Sequence, residues 1–285
     1  MERASDASKP RNAGAVKLQG EVKLRLGGAA HAPYIDVFRG LQPYFRRQGL
    51  GLDWLLYSDY DALVDAFVAR EIDIAWNGPL AYVKIRRRLK GACKNVAMRD
   101  VDLDFKTHFI TQPHSEVATV HDLLGKRFAF GNRGSIQAGV LAHYFLQESG
   151  IDPGRDLARY TFYDQRRTDS TSDERDVIQR VRSGEYDAGA VCNRTLERMA
   201  ESGELPEGDV RIFWSSPGYS HCCFTVHSDM DEAVQRKVTQ AFVSVDECEP
   251  ASRAVLEGEG CGFFVPGVLD GWDALEVAAE RESLV

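Results

Sequence analysis

The sequence predicts an α/β protein of two Rossmann-like lobes joined by a two-strand hinge, and three observations carry that reading. Short apolar runs of period two alternate with longer runs of helical spacing over residues 22–78, a βαβαβ order that implies a mainly parallel sheet covered by helices. The alternation resumes over about 113–218 without visible sequence identity to the first tract. After Pro217-Gly218 the chain offers one more strand and then helices at 231–245 and 250–257, as a chain returning to its first lobe would. The expected boundaries are a disordered arm over 1–20, lobe 1 over 21–112 plus 222–285, and lobe 2 over 113–221. At 285 residues and 44% hydrophobic content, two cores of ordinary size can be filled.

Each element has its own signal. Residues 1–20 are polar and charged and cannot bury a core. Val22, Leu24 and Leu26 alternate as a strand ended by Gly27-Gly28. Pro33 opens a helix in which Tyr34, Val37, Phe38, Leu41 and Phe45 recur at helical spacing until Gly49. A strand over 52–57 leads through Ser58-Asp59 into a helix with Leu63, Val64, Phe67 and Val68 on one face. Ile72, Ile74 and Trp76 make a third strand, broken by Asn77-Gly78-Pro79. The second tract reads as a strand at 106–111, a short helix at 121–124, a strand carrying Phe128 and Phe130, a helix to Gly150 and a strand at 160–163. A helix at 173–182, a strand at 186–191 and a strand through Val210, Ile212 and Trp214 complete it. Residues 219–227 read as the return strand. Side by side with the strand near 108, it would form the hinge over an interlobe cleft.

Function enters at Lys126-Arg127-Phe128-Ala129-Phe130-Gly131-Asn132-Arg133-Gly134-Ser135-Ile136-Gln137-Ala138-Gly139. A strand, a glycine-punctuated turn and a helix start build an anion site, because the free N–H groups of the first helical turn face whatever lies above the strand end. Ser135 caps the helix, and Gln137 and Arg133 add donors. A plain βα turn that binds nothing is the competing reading. The strand-end turns of the first tract share one sheet edge, where open α/β sheets bind ligands, so His31, Tyr34, Tyr60, Trp76 and Asn77 are candidates for the facing wall. Of these, Trp76 is the one most readily explained as core.

Composition excludes much else. A net charge of −8 argues against nucleic acid and against an anionic membrane surface. Arg86-Arg87-Arg88 and Arg166-Arg167 read as solvated runs. No apolar run approaches the roughly 18 residues of a membrane span, so no membrane insertion is expected. Nor does the start of the chain carry an apolar signal core. As written it reads as cytoplasmic, and as periplasmic or extracellular if it is a trimmed mature form. The six cysteines have no framework spacing and read as free thiols. Nucleotide, serine-hydrolase and HExxH motifs are absent. The Asp169-Ser170-Thr171-Ser172-Asp173 run is best explained by Ser172 as a helix cap.

His221-Cys222-Cys223 is the most unusual local composition. On a strand, His221 and Cys223 would share one face and Cys222 the other, so one of the two thiols would lie in the cleft. His108 on the outgoing hinge strand and His31 from the first turn could join His221, and imidazoles with a thiolate suit zinc, iron or copper. The rival reading makes these cysteines small buried hydrophobes and these histidines hydrogen-bonded hinge residues.

Together these pieces resemble the type II periplasmic-binding-protein fold, and within it the phosphonate, phosphate and phosphite-binding (PhnD-like) family of ABC importers. The resemblance spans about residues 22–260. It rests on Tyr57-Ser58-Asp59-Tyr60, Glu71-Ile72-Asp73-Ile74-Ala75-Trp76-Asn77-Gly78, Val120-His121-Asp122-Leu123-Leu124-Gly125-Lys126-Arg127, Phe130-Gly131-Asn132-Arg133-Gly134-Ser135, Gly184-Glu185-Tyr186-Asp187-Ala188-Gly189-Ala190-Val191 and Ile212-Phe213-Trp214-Ser215-Ser216-Pro217. It implies that Tyr60 lies by the ligand and that Trp76 and Asn77 line the cleft. The family's Ser-Thr-Ser-Gly loop corresponds to Ser135-Ile136-Gln137-Ala138-Gly139, which keeps only the first hydroxyl, so a smaller anion or one that prefers the Gln137 amide is equally admissible. Where aminophosphonate importers offer an acid on the return strand, this chain has Ser220, His221 and Cys222, which disfavours an amine-bearing ligand. A second resemblance, confined to Cys222-Cys223-Phe224, is to the iron-dependent pyrimidine synthases of fungal thiamine biosynthesis.

The expectation is a solute-binding protein that closes its cleft on a small oxyanion or oxyanion-bearing metabolite, with an ABC permease or a sensor as partner and no cofactor. Arg133, Gly134, Ser135 and Gln137 would hold the anion, Tyr60, Trp76 and Asn77 would wall it, and Ser220 and His221 would reach it from the hinge. The alternative is a cytoplasmic metal-dependent enzyme on the same fold, with His108 and His221 as catalytic candidates and one transition metal held among His31, His108, His221, Cys222 and Cys223.

Overall fold

A computed structural model of the chain describes residues 22–285, so the arm expected over 1–20 lies outside the described residues. The first sheet takes β1 (Val22–Ala29), β2 (Leu50–Tyr57), β3 (Ile74–Asn77), β4 (Cys93–Arg99), β10 (Cys223–His227) and β11 (Phe264–Pro266), in the order β11-β4-β10-β3-β1-β2. β1 runs parallel to β2 and β3, and β10 runs antiparallel to both β3 and β4. The first four strands therefore end at one edge, at Ala29, Tyr57, Asn77 and Arg99, where β10 begins at Cys223. That edge is where the site is built. Helices α1 (Tyr34–Arg47), α2 (Tyr60–Val68), α3 (Pro79–Arg88), α8 (Glu232–Val243) and α9 (Pro250–Glu259) belong with this sheet. Val37, Phe38, Leu41, Tyr44 and Phe45 of α1 are fully buried, the stripe that their spacing predicts. Trp76 stacks on Phe224 with ring centroids 4.1 Å apart, at the centre of this core.

The second sheet has the order β7-β6-β8-β5-β9, from β5 (Thr107–Thr111), β6 (Arg127–Ala129), β7 (Arg159–Thr161), β8 (Ala188–Cys192) and β9 (Arg211–Ser215). With it go α4 (Leu141–Glu148), the single turn α5 (Pro153–Asp156), α6 (Asp173–Arg182) and α7 (Asn193–Glu201). Phe109, Phe128 and Phe130 fill its core, each fully buried side chain contributing about 1.5–3 kcal/mol. Ser172 caps α6 by accepting from the Arg175 N–H at 3.4 Å, as expected.

Three expectations are corrected here. Residues 107–111, placed in lobe 1 by the sequence, form a strand flanked by β8 and β9 in the second sheet, and β10 pairs only within the first. The strands near 108 and 223 are thus not side by side. The two-strand hinge lies instead where Phe105 and Tyr219 exchange both N–H···O bonds at 2.9 Å. Second, the arginine runs are not merely solvated. Arg166 is 2% exposed and donates to Asp176 (2.7 Å), Thr161 O and Phe130 O, tying three elements together. Arg86 and Arg87 pair with Glu276 and Glu280 of the C-terminal helix α10 (Asp273–Arg281). Third, α10 reaches both lobes, because Arg281 also pairs with Glu148 of α4 at 2.7 Å.

Candidate functional site in the interlobe cleft

The lobe 2 wall begins where β6 ends. The chain turns through Gly131–Gly134, is capped by Ser135, passes through one π-type turn over Ile136–Val140 and continues as α4. The Ser135 Oγ accepts from the Ala138 N–H at 3.4 Å, and Gly139 has no room for a side chain, since a Cβ there would lie 2.2 Å from the Asn132 carbonyl oxygen. Carboxylates already serve the first N–H groups of the loop: Asn132 donates to Asp173 at 2.7 Å and Arg133 to Asp164 at 3.2 Å. The N–H groups of Ile136 and Gln137 find no acceptor among the described residues. These two donors and the Ser135 hydroxyl are what the wall offers an anion.

Lobe 1 faces this wall with a second helix start. Gly78 is the N-cap of α3, Pro79 occupies its first turn, and the N–H groups of Leu80 and Ala81 also lack acceptors among the described residues. Tyr60 lies flat against Gly78, where a Cβ would meet the ring carbon Cζ at 3.1 Å. A cavity of 160 Å³ lies between the two helix starts, lined by Tyr60, Asp61, Gly78, Pro79, Leu80, Ala81, Lys84, Gly134 and Ile136. Lys84 reaches it while paired to Asp61 at 2.5 Å. Two positive helix ends converging on one small volume favour an anion, each by about 0.3–1 kcal/mol and more where burial is deeper.

Deeper along the same edge of the first sheet lies a buried charged cluster. Arg99, at the end of β4, holds Asp102 through Nε (2.6 Å) and a terminal nitrogen (2.8 Å), donates to the Glu259 carbonyl at 2.7 Å and sits 5.1 Å over the Trp76 ring. His221 stacks on Phe105 and places Nδ1 3.3 Å from Asp102 and 3.1 Å from the Cys222 sulfur. Burial works against the Asp102 charge, but the hydrogen bonds from Arg99 and His221 outweigh it and hold the carboxyl at about 2. Glu259 has the opposite outcome. Burial pushes its carboxyl up to about 8, Arg99 offsets this only in part, and neither carboxyl oxygen has a hydrogen-bond partner among the described residues. Burial also raises the Cys222 thiol, as it does the hydroxyls of Tyr34 and Tyr60.

The candidates separate accordingly. Tyr60 and Gly134 line one cavity, with Ser135 and Gln137 beside it. The Gln137 side-chain amide is committed to Glu174 at 2.7 Å, so the residue contributes its backbone N–H instead. Arg133 points away, its guanidinium 4.1 Å over Phe162 in a separate cavity with His143 and Glu282. Trp76 and Asn77 are each 1% exposed, and the Asn77 amide donates to Thr225 Oγ1 at 2.8 Å. They are packed floor rather than open wall. Ser220 is buried against the Asp270 carbonyl. Neither Gly131 nor Gly134 takes a positive φ; Gly131 is small because a Cβ would lie 2.6 Å from Ala138 Cβ.

The three-imidazole metal site does not assemble. His108 lies in the second sheet, bound to Ser215 Oγ at 2.8 Å, and His31 lies edge-on to Tyr34. Cys223 is fully buried in the core, and the return strand begins only there, so the alternation expected for 221–223 does not apply. Asp102, His221 and Cys222 do lie close together, but a cation there would have to displace the bidentate Arg99, and the thiol is held protonated. All six cysteines are free. The sequence reading missed the α3 start, although Gly-Pro is an N-cap and N1 signal. It also missed Arg99, Asp102 and Glu259, which no local pattern marks.

Two lobes, each with its own sheet, a two-strand connection and helix starts facing each other across a cavity define a two-lobed solute-binding protein. The model of the family described as ABC transporter, phosphonate, periplasmic substrate-binding protein matches residues 46–272, and the chain belongs to that family. It is 22% identical over 209 residues to the probable ABC transporter phosphite binding protein PhnD1 of Prochlorococcus marinus, covering 70% of this chain and 68% of that one. Among solved structures, PhnD1 from the same organism in complex with methylphosphonate matches with a TM-score of 0.65 and 18% identity, over 93% of this chain and 100% of that one. XAC2383 from Xanthomonas citri bound to ATP matches with a TM-score of 0.67 and 19% identity, over 91% and 97% of the two chains. The aliphatic sulphonate binding protein SsuA of Escherichia coli matches at 0.57 and 15%, over 92% and 88%. These structures share the two-lobed fold, and the enzyme alternative gains nothing from them.

Proposed function

We propose that the protein captures a small solute bearing a phosphonate-like oxyanion in the interlobe cleft and presents it to an ABC permease on the outer side of the cytoplasmic membrane. The observation that carries the reading is the 160 Å³ cavity between two helix starts, one from each lobe, with the N–H groups of Leu80, Ala81 and Ile136 in its wall finding no acceptor among the described residues. Donors fixed before the ligand arrives cost little ordering on binding, and an anion bridging both lobes favours the closed form over the open one. The family's periplasmic setting and the phosphite and methylphosphonate named for PhnD1 support the location and the ligand class.

Ser135 and the backbone donors hold the oxyanion, and Tyr60 covers its substituent. Isothermal titration with phosphite, methylphosphonate, phosphate and ethanesulfonate tests this. At least one phosphorus oxyanion is expected to bind, and S135A to weaken it about fivefold through loss of one hydrogen-bond donor. Failure of all four ligands, or unchanged affinity in S135A, would remove this loop from the binding site.

A further inference from the structure

Among the residues that line the cavity between the two helix starts, Lys84 is the only cation and Asp61 the only anion. Lys84 stands one turn beyond Leu80 on α3. Helical side chains lean toward the N-terminus, so it lies over the same helix start whose Leu80 and Ala81 N–H groups find no acceptor among the described residues. The next rung between α2 and α3, Arg88 with Asp65, lies outside the cavity. Arg133 supplies no charge there, because its guanidinium lies over Phe162.

The Lys84–Asp61 pair is lopsided. The lysine side chain is 26% exposed and its partner 74%, so solvent screens the carboxylate far more than the ammonium. An ammonium has three N–H donors, and among the described residues only the one to Asp61 Oδ1, at 2.5 Å, is engaged. Asp61 also sits in the first turn of α2, where the positive helix end supports a carboxylate. Lys84 can therefore turn donors toward an anion in the cavity without stranding Asp61.

Each helix start presents about half a positive charge, so the two together balance about one negative charge on a bound oxyanion. A second negative charge on the same oxyanion needs a further cation. We propose that Lys84 supplies it and so sets specificity by charge: the cleft selects a doubly ionised oxyanion, such as a phosphonate or phosphite, over a singly charged one of the same shape, such as a sulfonate. The inference rests on the oxyanion reading of the cleft. Ser135 and the backbone donors meet either anion through the same three-oxygen face, whereas attraction to the ammonium grows with the charge of the ligand.

Methylphosphonate and methanesulfonate share a shape and differ by one charge in buffer alkaline enough to ionise the phosphonate twice. Calorimetric titration of both into the whole chain and into K84M tests the proposal. The unaltered protein is expected to bind the phosphonate about tenfold or more tighter than the sulfonate, and K84M to hold the two within about threefold of each other. K84R keeps the charge and should keep the preference; a preference lost equally in K84R makes the lysine a packing element and overturns its charge role. Equal binding by the unaltered protein, or a preference that K84M leaves intact, overturns it too and leaves the oxyanion site standing. If neither ligand binds, the oxyanion reading fails and takes the role of Lys84 with it. Should K84M not fold, D61N decides in its place: freeing the ammonium should widen the preference, and an unchanged or narrower one overturns the proposal.

Discussion

The two walls of the cleft handle charge in opposite ways. The lobe 2 wall is made by one short stretch of chain that itself buries no charged side chain, with a single buried carboxylate, Glu174, behind Gln137, and it offers N–H groups oriented by a capped helix start. The lobe 1 floor is gathered from α1, β3, β4, the hinge and α9, and it buries two carboxyl groups against a largely buried guanidinium, imidazole and thiol. A wall of backbone donors needs only the local turn to be right. A floor of buried charges holds only while every partner is present, so removing one member should disturb the fold more than the ligand.

That contrast predicts its largest effect at Arg99. Methionine there would leave Asp102, which is 0% exposed, answered by His221 alone, and should cost about 3–5 kcal/mol in urea unfolding. Adding D102N should restore much of the loss, since the unpaired charge goes with it. A cost under about 1 kcal/mol for R99M would mean that the floor is far wetter than the burial of Asp102 implies.

Glu259 gives the next effect, and its sign is set by the direction of its shift. The folded carboxyl, at about 8, holds its proton more tightly than an unfolded glutamate near 4.3. Between these values the folded state binds more protons, so stability falls as pH rises, by up to about 1.4 kcal/mol per pH unit. In E259Q that slope should vanish from the difference between the two proteins. Arg99, Asp102, Tyr34, Tyr60, Cys222, Cys261 and His221 surround the site in both, so the difference isolates Glu259. Parallel pH profiles from pH 5 to 8 would show a carboxyl ionised throughout.

The same contrast explains what could be read from the sequence. Helical and strand periodicities placed most elements of both sheets, because burial of one face is a local pattern. The 128–139 grammar placed the strand, the turn and the Ser135-capped helix start for the same reason. The floor was illegible: Arg99 and Asp102 are three residues apart, but Glu259 joins them from 157 residues beyond Asp102, and nothing in its surroundings separates it from Glu257. His221-Cys222-Cys223 misled by treating three residues as strand when only the third is, and the hinge was misplaced because pairing between the two crossing segments is a single bridge.

The smallest predicted effects divide the lobe 2 wall itself. S135A removes a hydroxyl donor beside the cavity and should lower oxyanion affinity about fivefold, roughly 1 kcal/mol. R133A, two residues earlier, removes a full positive charge yet should change affinity less than about twofold at physiological salt, because the guanidinium lies over Phe162 and solvent screens what remains. Charge alone would reverse this order, since a guanidinium is the stronger anion partner. Titration of both variants with the same phosphorus oxyanion decides the order. A larger loss in R133A would mean that closure on ligand swings the arginine into the cleft, and the oxyanion would then be held by a side-chain charge from lobe 2 as well as by its helix start.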